Sequence, residues 1–277
     1  DVDAAMNPEA LASIADALLA AEAAAAPLAP ITSWAPEFTV PDAYRVLAAL
    51  EARRRARGWR PVGRKIGFTN RTLWPRYGVF QPMWAHVWDA TFTDAPSGRA
   101  SVSLAGMIEP RLEPEVVFGL AGPVAPTDDP AVALRSVAWM APGFEIVQSH
   151  FPGWRFTAAD CTAAWGLHGH LVVGPRTPLA EADLVALAAR LATCEVTLSH
   201  GDGVIDRGVG ANVLGSPALA LAHLARVLAT QPEAPPLAAG EFVTTGTITD
   251  AWPIAAGQTW SSHYGALGLP DLRVTLS

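Results

Sequence analysis

The chain reads as α+β: two helices at the N-terminus, then a β-rich body with helices on its surface. Three observations carry that reading. Residues 7–26 and 41–58 have helical spacing and good end signals. From residue 59 onward, short apolar runs alternate with Gly, Pro and Asp turns. Hydrophobic residues make up 51% of the 277 and charged residues 16%, enough for a large core and too little charge for a disordered chain.

In the first helix Asn7 is the expected N-cap, Pro8 fits the first helical position and Glu9 favours the dipole. Residues 30–40 are Pro-rich and extended. The second helix, PDAYRVLAALEARRRARG (41–58), buries Tyr44, Val46, Leu47 and Leu50 and stops at Gly58; its RRRAR run (53–57) reads as a solvated helix end. Strands are expected in VGRKIGF (62–68), AHVWDATF (85–92), EPEVVFGL (113–120), GHLVVG (169–174), GEFVTTGTIT (240–249) and LRVTL (272–276). Residues 194–208 read as a hairpin around HGDG (200–203), with Val196, Leu198, Val204 and Ile205 as its apolar members. Helices are expected near 130–140, 178–193 and 216–231, the last opened by Ser216 and Pro217. Neither a repeat nor a linker divides the chain, so residues 1–60 form a helical part packed on a catalytic body, 61–277, as one functional unit.

A net charge of −7 argues against a nucleic-acid partner. The N-terminus lacks the order of a signal peptide. Asp16, Glu22 and Pro27 interrupt the Ala-rich stretch 16–29, which is too short to cross a membrane. Met6 is a candidate natural start. The two cysteines, Cys161 and Cys194, form no CxxC motif and fit a reducing cytoplasm. GxSxG, P-loop and GxGxxG motifs are absent, and Cys161 is not expected to act as a nucleophile.

The chemistry gathers around EPRLEPEVVF (109–118). In an extended chain Glu109, Arg111, Glu113 and Glu115 share one face. The Cβ atoms of Glu113 and Glu115 would stand about 6–7 Å apart. Such a pair is either a solvated face neutralised by Arg111 or part of an oxygen-ligand set for a hard divalent cation. Glu145, between Phe144 and Ile146 in GFEIVQS (143–149), needs a partner, either an arginine or the same cation. Lys65 is the one lysine among 19 Lys and Arg residues. Between glycines and an apolar strand it is either a surface residue or an ammonium presented in a cleft.

The order GRKIGFT (63–69), GVFQP (78–82), EPRLEPEVVFGL (109–120), GFEIVQS (143–149), GANVLGSP (210–217) and LAAGEFVTTGT (237–247) resembles the fumarylacetoacetate hydrolase superfamily. The closest likeness is to its branch of 2-hydroxypenta-2,4-dienoate (2-keto-4-pentenoate) hydratases and 4-oxalocrotonate decarboxylases. The resemblance runs from residue 40 to the C-terminus. It implies a mixed β-roll and a Mg2+ or Mn2+ ion held by Glu113, Glu115 and Glu145. Lys65 would polarise or protonate the enol of a 2-oxo acid, Thr245 would bind its carboxylate, and Asp160 and Gln81 would also adjoin it. The implied activity is that of a lyase in aromatic-compound catabolism that hydrates a 2-hydroxy-2,4-dienoate to a 4-hydroxy-2-oxo acid. Decarboxylation of a 2-oxo diacid, acylpyruvate-type C–C hydrolysis and an inactive partner subunit are the alternatives. A cytoplasmic homo-oligomer is expected, with a complex with a decarboxylase or aldolase of the same pathway as a further option.

Some positions depart from the family pattern. Met83 stands where the hydratases carry Asp, His150 stands for an Arg, and AWGLHG (164–169) puts Trp165 and His168 where they carry small polar groups. His168 is then either a replacement acid/base or a packed strand histidine. A more aromatic pocket points to a bulkier or more apolar 2-oxo acid.

Overall fold

The computed structural model describes residues 6–277; the reading of residues 1–5 as lying ahead of a natural start falls outside the described residues. Three helices come first: Pro8–Ala24 (α1), Ile31–Trp34 (α2) and Val40–Ala56 (α3). Asn7 caps α1 by accepting from the Ala10 N–H, and a capping box between Thr39 and Asp42 opens α3. Ile14 and Leu18 of α1 meet Val46, Leu47 and Leu50 of α3 in a cluster that extends to Ala85, Phe151 and Trp165 of the body. The Arg-rich end of α3 departs from expectation. Arg54 is buried, 2.6 Å from Glu22, with its guanidinium over the rings of Trp59 and Trp165. Arg55 and Arg57 do stay in solvent.

The strands are Pro61–Gly67 (β1), Met83–Trp88 (β2), Phe92–Asp94 (β3), Arg99–Val102 (β4), Arg111–Leu120 (β5), Val137–Val147 (β6), His168–Val173 (β7), Thr177–Pro178 (β8), Glu195–His200 (β9), Gly203–Val209 (β10), Phe242–Thr244 (β11), Trp252–Pro253 (β12), Thr259–His263 (β13) and Leu272–Leu276 (β14). The remaining helices are Trp74–Tyr77 (α4), Pro130–Leu134 (α5), Ala158–Ala163 (α6), Leu184–Thr193 (α7) and Pro217–Ala229 (α8). A mixed nine-stranded sheet runs β2-β1-β11-β5-β6-β7-β3, with β12 beside β5 and β8 beside β6. A five-stranded sheet runs β10-β9-β13-β14-β4. The large sheet curls: Val87 of β2 and Leu171 of β7 meet across its inside with Val117 of β5. Even-numbered residues of β5 face outward, Leu112 onto the small sheet and Val116, Phe118 and Leu120 onto α7 and α8. Odd-numbered residues, Glu113 and Glu115 among them, face the inside of the curl. The run Gly210–Ala229, which ends in α8, is long and apolar enough to pass for a membrane span, but 67% of its most apolar window is buried in the protein.

Three sequence expectations give way here. Residues 30–40 are not extended throughout, because Ile31–Trp34 form α2 and α3 begins at Val40. The helix near 130–140 stops at Leu134, and Val137 starts the eleven-residue β6, because the run is long enough to pair along the whole of β5. The strand 240–249 shortens to Phe242–Thr244. Pro114 accounts for that last change. Its carbonyl accepts from Ile248 N–H, but it has no N–H to return on that side, so residues 245–248 cross as a loop rather than continue the ladder.

β1 is held close to β11 through Gly63. A Cβ there would lie 2.3 Å from the Phe242 carbonyl oxygen, which is backbone and cannot swing aside. Gly63→Ala should therefore lower stability by about 1–3 kcal/mol and displace Lys65, two residues along the same strand. Thermal unfolding reads the first effect; an unchanged Tm would show that β1 and β11 can part freely.

Candidate active site

The antiparallel register of β5 and β6 sets Glu113 directly opposite Glu145 and Glu115 opposite Gly143. Carboxylate oxygens of Glu113, Glu115 and Glu145 lie within 4.8 Å of one another. Glu115 and Glu145 are fully buried and Glu113 half-buried. The strand starts at Arg111, so Glu109 does not join the face: its backbone is left-handed (φ 44°) and its carboxylate accepts from the Gly153 N–H.

Each buried glutamate is tied by one oxygen. Glu115 Oε2 accepts from the Thr244 hydroxyl and, at 2.8 Å, from the Gly246 N–H. Glu145 Oε1 is 2.9 Å from His168 Nδ1 and 3.3 Å from Lys65 Nζ. The other oxygens, Glu115 Oε1 and Glu145 Oε2, are buried without a hydrogen-bond partner among the described residues. An orphaned buried carboxylate oxygen is costly. Two of them beside a third carboxylate make an all-oxygen donor set suited to a hard divalent cation.

Lys65, on β1, is buried and donates to the Gly166 carbonyl at 2.8 Å. Burial opposes its charge, but Glu145, Glu113 and Glu115 together hold it above the ordinary lysine value. Burial, then Glu145, pushes Glu113 up to about 7 and Glu115 well above the usual carboxylate range. Burial works the same way on Glu145, but Lys65 and His168 outweigh it and hold its carboxyl low. Burial holds His168 below its ordinary value despite Glu145.

Lys65 and Glu113 form the floor of a cavity of about 480 Å3, with Arg111, Met83, Phe68, Tyr77, Trp154 and Phe156 among its walls; Glu115 and Glu145 are buried and do not line it. The other expected site residues are placed differently. His168 spends both ring nitrogens, Nδ1 on Glu145 and Nε2 on the Thr91 hydroxyl at 2.9 Å, so it orients a carboxylate and does not face the cavity. Thr245 is buried with its hydroxyl donating to the Val116 carbonyl at 2.7 Å, and Thr247 is the threonine of that loop that reaches the cavity. Asp160 is corrected to a structural residue. It caps α6 through the Thr157 N–H and hydroxyl and binds the Thr32 N–H and hydroxyl of α2, which uses its acceptor capacity away from the cavity. Gln81 is corrected too: it sits exposed ahead of β2 and does not line the cavity. Met83 does line it, with its sulfur 3.4 Å from the Thr162 hydroxyl, and burial pushes the Cys161 thiol up.

Known proteins bear on this geometry. No family model matches the chain. A 2-hydroxyhexa-2,4-dienoate hydratase of Comamonas testosteroni is 33% identical over 254 residues, 90% of this chain and 91% of the relative. The chain belongs to the hydratase and decarboxylase branch of the fumarylacetoacetate hydrolase superfamily. It is an enzyme of that branch, with a small-molecule substrate, and it carries a cluster of three carboxylates. A 4-oxalocrotonate decarboxylase of Pseudomonas putida is 28% identical over 97% of this chain and 98% of the relative. The solved 4-oxalocrotonate decarboxylase from Pseudomonas putida G7, complexed with magnesium and adipate, superposes with a TM-score of 0.87 at 26% identity, covering 98% of this chain and 99% of that one. The α+β fold of the branch is thus the fold seen here.

Sequence reasoning missed three supports of this branch site. Thr244 and Gly246 hold Glu115, and the Tyr264 hydroxyl donates to its backbone carbonyl at 2.6 Å. The Thr-Thr-Gly run was a usable signal, but choosing between adjacent threonines needs the strand phase. Tyr264 lies 149 residues from Glu115 and carries no local signal.

Two outcomes are expected. Glu115→Gln should abolish the Mg2+-induced rise in Tm, a stabilisation of about 2.7 kcal/mol at a hundredfold excess over Kd, while leaving the metal-free protein at least as stable at neutral pH, because a neutral amide replaces a carboxyl whose ionisation burial and Glu145 oppose. Retained metal stabilisation would sink the triad. Glu113 sits at about 7, so its proton must leave when a cation binds. Glu115, also shifted upward, must give up its proton as well, so Mg2+ affinity should fall by at least about tenfold per pH unit below 7; calorimetric titrations across pH check this.

Proposed function

We infer that the protein is a divalent-metal-dependent hydratase that converts a 2-hydroxy-2,4-dienoate to a 4-hydroxy-2-oxo acid. The observation that carries the reading is the pair of orphaned oxygens on Glu115 and Glu145 beside Glu113 and the buried Lys65, at the floor of an open cavity. The hydratase relative supports the choice of reaction.

Glu113, Glu115 and Glu145 would hold Mg2+ or Mn2+, which when bound supplies the Lewis acidity that stabilises an enolate at the substrate's C2 oxygen. The chain's own residues do the rest. Lys65, kept cationic by three glutamates, stands where it can hold a proton beside that oxygen and neutralise its charge. The Gly166 carbonyl and Glu145 fix the direction of its ammonium. His168, braced by Thr91, keeps Glu145 in place. Thr245 anchors its loop to β5 so that Thr247 faces the substrate. Met83 and the aromatic walls exclude bulk water from the carbons that gain a proton and a hydroxyl. The N-terminal part, 1–60, and the body, 61–277, act as one unit, joined by their shared core. Exposed Phe80 and the exposed apolar residues of β10 suit a homo-oligomer, and the two reduced cysteines suit the cytoplasm.

Decarboxylation of a 2-oxo diacid is the second reading. It is favoured by the cavity guanidiniums of Arg76 and Arg111, which stack on aromatic rings and have no carboxylate partner among the described residues.

An ultraviolet assay on freshly generated 2-hydroxypenta-2,4-dienoate with Mg2+-loaded protein tests the reaction. Loss of dienol absorbance with 4-hydroxy-2-oxopentanoate as product is expected; CO2 release from a 2-oxo diacid in its place would favour the second reading. Lys65→Ala should lower kcat by about 10²–10⁴-fold and change metal affinity far less. An unchanged kcat would reduce Lys65 to a structural residue.

A further inference from the structure

We propose that the wall of the cavity remote from the carboxylate triad is a subsite for a flat apolar group, so that the preferred substrate is a 2-oxo acid or dienol with an aryl-sized substituent on its distal carbon. This rests on the metal-chelating reading above.

Phe68, Tyr77, Phe156 and Trp154 all line the cavity. They touch in series, with ring centroids 5.1, 5.9 and 6.0 Å apart. Each is half-buried, so each leaves part of its ring open to the cavity. Phe68 directly follows β1, which carries Lys65, and Trp154 and Phe156 lie in the segment after β6, which carries Glu145. The rings therefore adjoin the floor where a 2-oxo acid would chelate.

Two of these rings are held against backbone preference. Phe68 (φ 56°) and Trp154 (φ 58°) are left-handed, which for bulky residues costs on the order of 1 kcal/mol or more. Hydrogen bonds enforce both: Trp74 Nε1 donates to the Phe68 carbonyl at 2.8 Å, and Trp154 Nε1 donates to the Glu109 carbonyl at 3.0 Å.

Size and charge point the same way. At roughly 30 Å3 per water, a five-carbon acid would leave much of the cavity to solvent, whereas a ring would bury against the wall and stack on it. A second carboxylate would meet only guanidiniums already engaged with the rings at this end: Arg111 lies 4.2 Å from the Trp154 ring centroid and Arg76, exposed and screened, 5.5 Å from that of Tyr77.

The test is equilibrium binding of three saturated, unreactive 2-oxo acids to Mg2+-loaded protein: 2-oxopentanoate, 2-oxo-5-phenylpentanoate and 2-oxohexanedioate. The phenyl acid should bind about tenfold or more tightly than either of the others. That ratio should fall to about threefold or less in Tyr77→Ala and Phe156→Ala variants that keep the Mg2+-induced rise in Tm, with Phe156→Leu replacing any variant that does not. Equal affinities, no binding of the phenyl acid, preference for the dioate, or a ratio unaltered in both variants overturns the proposal. Because turnover is not required, a failed hydratase reading shows up separately, as an absent ultraviolet change alongside a retained phenyl preference.

Discussion

Three carboxylates and one ammonium share the inside of a curled sheet, and their mutual Coulomb energy governs how the surrounding strands are built. In a poorly solvated site, like charges this close cannot all ionise without compensation. Lys65 offsets one of them. It favours Glu145, its nearest partner, and leaves Glu113 and Glu115 to shift upward. In the proposed reading a dication would complete the balance: one oxygen on each buried glutamate is tied by the protein, and the other has no hydrogen-bond partner among the described residues.

That arrangement constrains the backbone. The β5–β6 register places two of the glutamates face to face, and a slip of one residue would turn both strands' side chains to the wrong side. Pro114 ends the ladder on the β11 side at the point where the 245–248 loop must enter to bring the Gly246 N–H to Glu115. Gly246 itself has no alternative: its φ is +110°, and a Cβ there would lie 2.1 Å from the Thr69 hydroxyl oxygen. Around the floor, strain collects at Phe68, Trp154 and Leu167, all non-glycine residues with positive φ that line the cavity. Strain of this kind persists only where the surrounding structure over-determines it.

Roles divide accordingly. His168 and Thr91 hold Glu145, Thr244 and Gly246 hold Glu115, and Lys65 alone among the lysines and arginines of the described residues lies within ion-pair distance of any of the three glutamates. Asp160 belongs to another task, fastening the N-terminal helices to the body.

The sequence by itself determined the α+β class, the two long N-terminal helices with the Asn7 cap, and a hairpin read as 194–208; it singled out the glutamates and Lys65 but left their role open, and only the family resemblance joined them into a site. These rest on local signals: periodicity, capping residues, turn chemistry, and charge placed against apolar neighbours. Only the tertiary structure decided that His168 orients a carboxylate, that Thr244 and not Thr245 ties Glu115, that Asp160 and Gln81 lie off the cavity, and that Arg54 is buried between two tryptophans. Each of these depends on strand phase or on contacts between distant segments, such as Thr32 with Asp160 across 128 residues. Such contacts are set by how the sheet curls and the helices dock, and no local property of the chain encodes them.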